Sequence, residues 1–250
     1  MLPSRVVRLN LAYEGTKFQG FNVQPQRRTV QGVLEAAWYQ VMGETIRVTA
    51  AGRTDTGVHA AGQVGSVRTS CQRPPAQIVR ALNATLPEDV AVLSASDEPE
   101  WFDARRSARQ RHYRYTIWAG PIRNVFWQRF SWHVPQALDI SSMRQASECL
   151  LGTHDFRCFA ARLARSSVES TRRTVSRMEW SRDDEGFVHL DIAADGFLRR
   201  MVRGIVGSLV AVGRGRQGAG DVAARLEGVY VTGRGDFAPP HGLSLTRIDY

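Results

Sequence analysis

Cysteine is scarce in this sequence, and its distribution argues against both disulfide and metal chemistry. The three cysteines, Cys71, Cys149 and Cys158, are odd in number, lie far apart and form no CxxC pair. Disulfide frameworks and cysteine-ligated zinc sites have closer and more regular spacing. The cysteine usage therefore predicts a reducing compartment, and we expect a cytoplasmic protein.

Long apolar runs are also missing. No segment approaches the ~18 to 20 consecutive apolar residues of a membrane-spanning helix. The first residues, MLPSRVVRLNLAY, alternate between polar and apolar side chains and lack the continuous apolar stretch of a secretory signal. With 43% hydrophobic and 23% charged residues, the composition argues against disordered and collagen-like classes and predicts a soluble globular protein.

Lysine is nearly absent and acidic residues are outnumbered. The chain carries 33 basic and 24 acidic residues, which gives a net charge of +9, and Lys17 is the one lysine. A basic surface attracts phosphate backbones through counterion release, so the charge predicts a polyanionic partner. The arginine bias is explained equally well by phosphate recognition and by genomic base composition.

Mixed α and β patterns fill the chain. The first hundred residues predict the order β, α, β, α, β from alternation, helical spacing and capping residues. These elements are a strand Arg5–Tyr13, a helix from an N-cap at Thr29 to Gly43, a strand Ile46–Ala51, a helix that starts at Pro74 and Pro75, and a strand over DVAVLSAS at residues 89–96.

The second half begins with the strand-like RHYRYTIW, in which Tyr113, Tyr115 and Ile117 share one face. The polar residues 100–110 before it are a plausible domain boundary. The patterns that follow predict a helix capped by Ser141, strands around Thr171–Trp180 and Phe187–Ala193, and a long apolar-faced helix capped by Asp195. Segregated antiparallel strands with helices on one face make an α+β fold the best interpretation.

The loop AGRTDTGVHA, residues 51–60, is the strongest candidate for a functional site. Gly52 and Gly57 have the glycine spacing of a phosphate-binding P-loop, but Val58 and His59 replace the required Lys and Ser or Thr. The P-loop interpretation is therefore rejected. Elsewhere, the sequence has no Gly-x-Ser-x-Gly motif, and the pair His154-Asp155 lacks further ligands, so we predict no metal site.

Two interpretations of the single acid in that loop, Asp55, remain open from the residues alone. The flanking glycines let the backbone turn tightly, Thr54 and Thr56 can supply hydrogen bonds, and Arg53 can keep the carboxylate ionised or point away. Asp55 would then be a catalytic carboxylate. Alternatively, Asp55 caps a turn, as most aspartates in loops of this composition do.

The loop and six further stretches together resemble the tRNA pseudouridine synthase A family. The typical family motif A-G-R-T-D-x-G-V-H is long and specific, and the resemblance covers essentially the whole chain. The further stretches, in family order, are LAYEGTKFQGFNVQPQRRTVQGVLE near the start, ALNATLP at 81–87, FDARRSARQRHYRY at 102–115, LLGTHDF at 150–156, FLRRMVRGIVGSLVAVG at 197–213 and APPHGLSLTRIDY at 238–250.

The resemblance implies an enzyme that converts uridine to pseudouridine at positions 38, 39 and 40 in the anticodon arm of tRNA. Asp55 would be the essential aspartate, which either attacks the ribose to form a covalent adduct or abstracts a sugar proton to give a glycal. The implied reaction needs no metal, nucleotide or redox cofactor. The family usually acts as a homodimer. A non-catalytic tRNA-binding or chaperone protein on the same fold is the alternative.

Other site residues are implied by the same match. Tyr113 would stack on the target base, although a core strand tyrosine is the alternative. Arg203 would form a salt bridge with the catalytic aspartate, with Arg199 and Arg200 as neighbouring candidates.

Leu243, rather than Leu245, would form an apolar wall of the uracil pocket. Residues that support the aspartate or its loop would be Arg53, Thr54, Gly57 and His59, the last through loop shape or RNA contact.

The implied fold is the α+β pseudouridine synthase fold. It has two RNA-recognition-like halves that share an antiparallel sheet with helices packed on it, and the active-site cleft lies between the halves. We expect residues 1–104 to carry the Asp55 loop and residues 105–250 to carry Tyr113 and Arg203. The five arginines within Arg105–Arg114 are candidates for contact with the RNA backbone, with a solvated basic face as the alternative.

Overall fold

The computed structural model describes residues 4–161, 170–228 and 237–250. The chain forms two compact units, one made of Met1–Arg109 with Ser244–Tyr250 and the other of Gln110–Leu243. Within the described residues, none of the helices is both long enough and apolar enough to cross a membrane.

The first unit is built on a sheet of five strands with the main order β4-β1-β3-β10. β1 pairs antiparallel with β3 and β4, β2 pairs antiparallel with β3, and β10 pairs parallel with β3. The strands are β1 (Arg5–Tyr13), β2 (Thr49–Ala50), β3 (His59–Thr69), β4 (Val90–Glu98) and β10 (Leu243–Asp249), and the helices are α1 (Val30–Met42) and α2 (Pro75–Asn83).

The strands of the second unit follow the order β5-β9-β8-β7, with every neighbour antiparallel. A short strand, β6, adds a parallel pairing to β5. The strands are β5 (Gln110–Trp118), β6 (Trp132–His133), β7 (Gly152–Asp155), β8 (Arg172–Arg182) and β9 (Phe187–Ala194), and the helices are α3 (Ile140–Ser147), α4 (Met201–Gly213) and α5 (Ala219–Leu226). Mainly antiparallel sheets with separate helices confirm the predicted α+β class.

Helix-capping residues and the alternation of side chains along strands explain the elements that the sequence predicted. Thr29 caps α1 by accepting a hydrogen bond from the Gly32 N–H, and Gly43 ends the helix in the left-handed conformation at φ 69°. The alternation of β5 is also confirmed, because Tyr113, Tyr115 and Ile117 are all buried. Strands β1, β4, β8 and β9 and helix α2 are likewise confirmed.

Two predicted caps are wrong. Asp139, not Ser141, caps α3, because its carboxylate accepts hydrogen bonds from the Ser142 N–H and the Ser141 hydroxyl. Asp195 lies too far ahead of α4, which starts at Met201, and its carboxylate instead accepts a hydrogen bond from the Thr174 N–H. The predicted apolar stripe of α4 is nevertheless buried.

Two errors concern strands of the first unit. The predicted strand Ile46–Ala51 is reduced to Thr49–Ala50, since the Val48 N–H donates to the Glu35 carboxylate at 2.9 Å rather than to a neighbouring strand. The eleven-residue β3 was not predicted. Its sequence, HAAGQVGSVRT, consists mostly of small and polar residues and lacks the β-branched alternation that marks a strand.

Candidate active site

The Asp55 loop connects β2 to β3 in the first unit. The Asp55 carbonyl accepts a hydrogen bond from the Val58 N–H at 3.1 Å, and Gly57 between them has φ +78°. This left-handed conformation closes the turn and favours glycine over residues with a side chain. Asp55 itself is partly exposed, so the loop does not bury this residue in the core of the unit.

A second loop, residues 14–21 after β1, packs against the Asp55 loop. The Phe21 N–H donates to the Thr54 carbonyl at 3.1 Å, and the Gly57 N–H donates to the Phe18 carbonyl at 3.3 Å. Gly20, at φ +89°, lets the two backbones approach, because a Cβ there would lie 3.0 Å from the Thr54 oxygen. The backbone on either side of Asp55 is therefore held by main-chain hydrogen bonds.

A buried polar network holds the other side of the loop. Gln63 on β3 is fully buried and hydrogen-bonds both backbone groups of Gly52, at 3.2 Å to the N–H and 2.6 Å to the carbonyl. Its amide also donates to the Tyr13 hydroxyl at 3.2 Å, and that hydroxyl lies 2.8 Å from Thr54 Oγ1. Burial raises the pKa of Tyr13 to about 12, so this phenol stays protonated at neutral pH.

His59 stands at the end of the loop and is only 5% exposed. Its Nδ1 accepts a hydrogen bond from the Gly15 N–H at 2.9 Å, which ties the end of the Asp55 loop to the second loop. An accepting Nδ1 requires the tautomer with its proton on Nε2. Of the two roles predicted for His59, this position supports the loop-shaping one.

Arg53 is exposed and lies in a positively charged environment. Partial burial and then the charges of Arg105 and Arg47 lower the pKa of its guanidinium. Mutual repulsion among three arginines favours the binding of an anion. The first unit therefore presents a basic cluster, made of Arg47, Arg53 and Arg105, beside the loop that carries Asp55.

Tyr113, the predicted base-stacking residue, lies on β5 of the second unit. It is 8% exposed, and its ring packs edge-on against Phe197 at a centroid distance of 5.3 Å. Edge-on packing is one of the arrangements that pairs of aromatic rings prefer. Among the predicted RNA contacts nearby, Arg114 already makes two hydrogen bonds to the Asp191 carboxylate, at 2.9 and 2.8 Å.

Arg203 and the segment that leads to Leu243 are held together within the second unit. Arg203 Nε donates to the Ala238 carbonyl at 2.6 Å, and the Ala238 N–H donates back to the Arg203 carbonyl at 3.0 Å. Tyr115 secures the same segment by donating to the Pro239 carbonyl at 2.8 Å. Burial raises the pKa of Tyr115 well above its ordinary value, although the nearby Arg203 charge opposes this shift.

The alternatives to Arg203 and Leu243 have different surroundings. Arg199 and Arg200 are exposed, and the Arg200 guanidinium lies 5.6 Å from the centre of the Phe237 ring. Leu243 is 5% exposed, whereas Leu245 is fully buried and pairs with Ala60 in the sheet of the first unit. Leu245 thus has the surroundings of a core residue.

Several residues that hold the site were not predicted. Gln63, Tyr13 and Tyr115 each make the contacts described above, but none was among the predicted site residues. Tyr13 lies within the quoted stretch LAYEG, and Gln63 lies in GQV directly after the Asp55 loop. A polar residue in the otherwise small and apolar run of residues 60–65 was the one available signal for Gln63.

The predicted absence of a metal site and the cavity of the second unit concern residues outside the Asp55 loop. In the described ranges of the chain, no three His, Cys, Asp or Glu side chains are grouped so that they could hold a metal ion. A cavity of about 400 Å³ in the second unit includes the pair His154-Asp155 but none of the residues predicted for catalysis. Its lining residues are Cys149, Thr153, His154, Asp155, Arg172, Ala223, Leu226 and Glu227.

Comparison with known proteins gives consistent matches over most of the chain. A family model described as tRNA pseudouridine synthase matches residues 11–105 and 146–250. A protein named tRNA pseudouridine synthase A from Shouchella clausii is 42% identical over 241 residues, which is 96% of this chain and 91% of the relative. A protein of the same name from Halalkalibacterium halodurans is 44% identical over 94% of this chain and 89% of the relative. Another, from Moorella thermoacetica, is 42% identical over 98% of this chain and 99% of the relative. The chain therefore belongs to the tRNA pseudouridine synthase family, as the Asp55 loop and its accompanying motifs predicted.

Proposed function

We propose that this protein isomerises uridine to pseudouridine in tRNA, at positions 38, 39 and 40 of the anticodon arm. The reaction breaks the bond between N1 of uracil and C1′ of ribose, turns the base and joins C5 to C1′. The observation that carries the proposal is the Asp55 loop, which matches the family motif and is held on both sides by hydrogen bonds while Asp55 itself stays partly exposed.

A single carboxylate is sufficient for this chemistry. Glycosidases normally use two acids, because one must protonate the leaving oxygen while the other attacks or activates water. Uracil can leave as a delocalised anion, and it must be retained for recombination instead of being replaced by water. One ionised aspartate in a site that excludes water can therefore perform the reaction without a metal, nucleotide or redox cofactor.

Asp55 is the proposed catalytic residue, by either of two routes. Its carboxylate attacks the ribose to form a covalent adduct, or it removes a sugar proton to give a glycal. Tyr113 is the proposed stacking partner of the uracil, and its ring packs edge-on against Phe197. Arg203 is the proposed counter-charge of Asp55, and Leu243 a proposed apolar wall of the uracil pocket.

The proposed substrate also explains the charge of the chain. A uridine paired in a stem cannot reach an enzyme carboxylate, so the target nucleotide must be extruded from the helix. The protein must then hold the arm mainly through its shape and its phosphates. The cluster Arg47, Arg53 and Arg105, beside the Asp55 loop, is the proposed local phosphate contact.

We further propose a cytoplasmic homodimer. Support for self-association comes from residues 122–130 of the second unit, which hold five of the large exposed apolar side chains. Such a concentration is unusual on a monomer and is typical of an interaction surface. The five are Ile122 at 77% exposure, Val125 at 60%, Phe126 at 87%, Trp127 at 43% and Phe130 at 36%.

The reaction can be tested by replacing the proposed catalytic carboxylate. Asp55→Asn keeps the shape of the side chain but removes the nucleophile or base, so turnover should be abolished while folding and tRNA binding remain largely intact. The assay measures tritium released from 5-tritiated uridine in tRNA, since C5 loses its hydrogen in the reaction. Full activity of the Asn variant would contradict the assignment, as would wild-type protein that binds tRNA tightly but forms no pseudouridine.

A further inference from the structure

Gln63 is a buried amide whose hydrogen-bonding capacity is fully used. Besides its two bonds to Gly52, Oε1 accepts from the Val64 N–H at 3.2 Å and Nε2 donates to the Tyr13 hydroxyl at 3.2 Å. A carboxamide has two donor and two acceptor positions, and all four are occupied here. The side chain is therefore fixed in one orientation, with its NH₂ group towards Tyr13.

The orientation of the Gln63 amide determines which groups donate and which accept hydrogen bonds in the rest of the network. The Tyr13 oxygen accepts a hydrogen bond from Gln63 Nε2, which has no available lone pair with which to accept one in return. The Tyr13 hydroxyl hydrogen is then available for Thr54 Oγ1, 2.8 Å away. Tyr13 and Thr54 are 5% and 7% exposed, so water does not compete effectively for these bonds.

The network reaches the loop at two residues just before Asp55. Gln63 holds the backbone of Gly52 from β3, and Tyr13 holds the side chain of Thr54 from the end of β1. Because β1 and β3 are neighbours in one sheet, with Tyr13 opposite Ala60, the two anchors share a rigid base. Functional groups supported by regular strands are positioned more accurately than groups on an isolated loop.

We infer that Gln63 and Tyr13 are positioning residues that fix the direction of the Asp55 carboxylate for the isomerisation. This inference rests on the proposed function. Both side chains act through Gly52 and Thr54 and not through contact with the substrate. A displacement of about 1 Å at a reacting group can cost on the order of 100-fold in rate, so loss of either anchor should slow the chemical step more than it weakens tRNA binding.

The test compares the single-turnover rate with tRNA affinity for Tyr13→Phe and Gln63→Leu. We expect the rate of pseudouridine formation with excess enzyme to fall tenfold or more, while the dissociation constant for tRNA changes less than twofold. Tyr13→Phe removes one oxygen and keeps the ring, so it is the milder variant. If Gln63→Leu does not fold, Gln63→Glu retains the size of the side chain and removes both N–H donors.

Asn83 provides a matched control in the same unit. Its amide also bridges the backbone of one residue, accepting from the Val92 N–H at 2.9 Å and donating to the Val92 carbonyl at 2.8 Å, but it holds a different strand. Asn83→Leu should lower thermal stability and leave the single-turnover rate of the folded enzyme unchanged. A merely structural role for Gln63 and Tyr13 would produce this same result in their variants.

The outcomes separate the two proposals. Wild-type protein that forms no pseudouridine would overturn the proposed function itself. Active wild-type protein whose Tyr13→Phe and Gln63 variants retain the wild-type single-turnover rate would overturn the positioning role alone. Equal losses of rate in these variants and in Asn83→Leu would also overturn it, because the effect would then be general destabilisation.

Discussion

The backbone N–H of Gly15 donates a 2.9 Å hydrogen bond to Nδ1 of His59, and this contact brings the two loops around Asp55 together. The approach is so close that a Cβ on Gly15 would lie 2.0 Å from the Val58 carbonyl oxygen. A backbone atom cannot rotate away as a side chain can. Gly15 is therefore required by the packing of the site rather than by its own conformation.

Gly15→Ala should destabilise the protein, because the added methyl group overlaps a backbone carbonyl. We expect a loss of about 1 to 3 kcal/mol in the free energy of unfolding, the usual cost of overpacking. Urea denaturation followed by fluorescence measures it. The control is Gly220→Ala on α5, where an added Cβ meets nothing within 4 Å. A Gly15 variant as stable as this control would mean that the two loops are not in contact.

The Asp55 loop could be predicted from the sequence, whereas its supports could not. A motif of nine consecutive positions identifies the loop by itself. Gln63, in contrast, acquires its role only when β3 forms and pairs with β1, and the small residues of β3 gave no strand pattern. Contacts between residues far apart in sequence depend on strand pairing, which local patterns do not specify.

The helix caps also show that local contacts could be predicted from the sequence and long-range contacts could not. The start of α1 was predictable because Thr29 bonds a group only three residues ahead. Asp195 has the residue type of a cap, but its carboxylate is used by Thr174 on β8, a partner twenty-one residues away. The cap prediction failed because a long-range partner replaced the local one.

Burial of Tyr13 should make stability depend on alkaline pH. Its pKa is raised to about 12 in the folded protein, compared with about 10 in an unfolded chain. Below pH 10 both states keep the proton; between pH 10 and 12 the unfolded state loses it first, so stability falls as pH rises. The expected loss from Tyr13 is about 2 to 3 kcal/mol at most.

Urea denaturation of wild type and Tyr13→Phe at pH 8 and pH 11 measures this contribution. Tyr13→Phe should be less stable than wild type at pH 8, because it lacks the hydroxyl contacts, but should lose less stability between the two pH values. Tyr115 adds to the alkaline loss in both proteins, so the difference between them isolates Tyr13. Identical losses would contradict the buried position of this phenol. Tyr39→Phe, at a residue that is 60% exposed, is the control.

The basic cluster beside the Asp55 loop should contribute to the salt dependence of tRNA binding. Partial burial and then the charges of Arg105 and Arg47 lower the pKa of Arg53. Arg47 belongs to the cluster proposed to contact phosphate, so Arg47→Gln should remove one such contact. The slope of log Kd against log salt concentration should then change by about 0.7 to 1. Arg114→Gln removes the same charge from an arginine that is already paired with Asp191, and its slope should change less. Equal slopes for both variants would exclude a special role for the cluster.

The exposed apolar segment of residues 122–130 should determine the oligomeric state. Phe126 is 87% exposed and belongs to the same segment as the exposed Ile122, Val125 and Trp127, so Phe126→Asp places a charge where a second copy of the chain would exclude water. Burying an unpaired carboxylate is costly, and we expect the variant to be monomeric at concentrations at which wild type is dimeric. Light scattering coupled to size-exclusion chromatography measures the mass. Trp101→Asp, at a tryptophan that is 74% exposed in the first unit, should leave the dimer intact, because that tryptophan lies outside the apolar segment. Monomeric wild-type protein would contradict the homodimer, and a dimer that persists in Phe126→Asp would show that the copies associate through another surface.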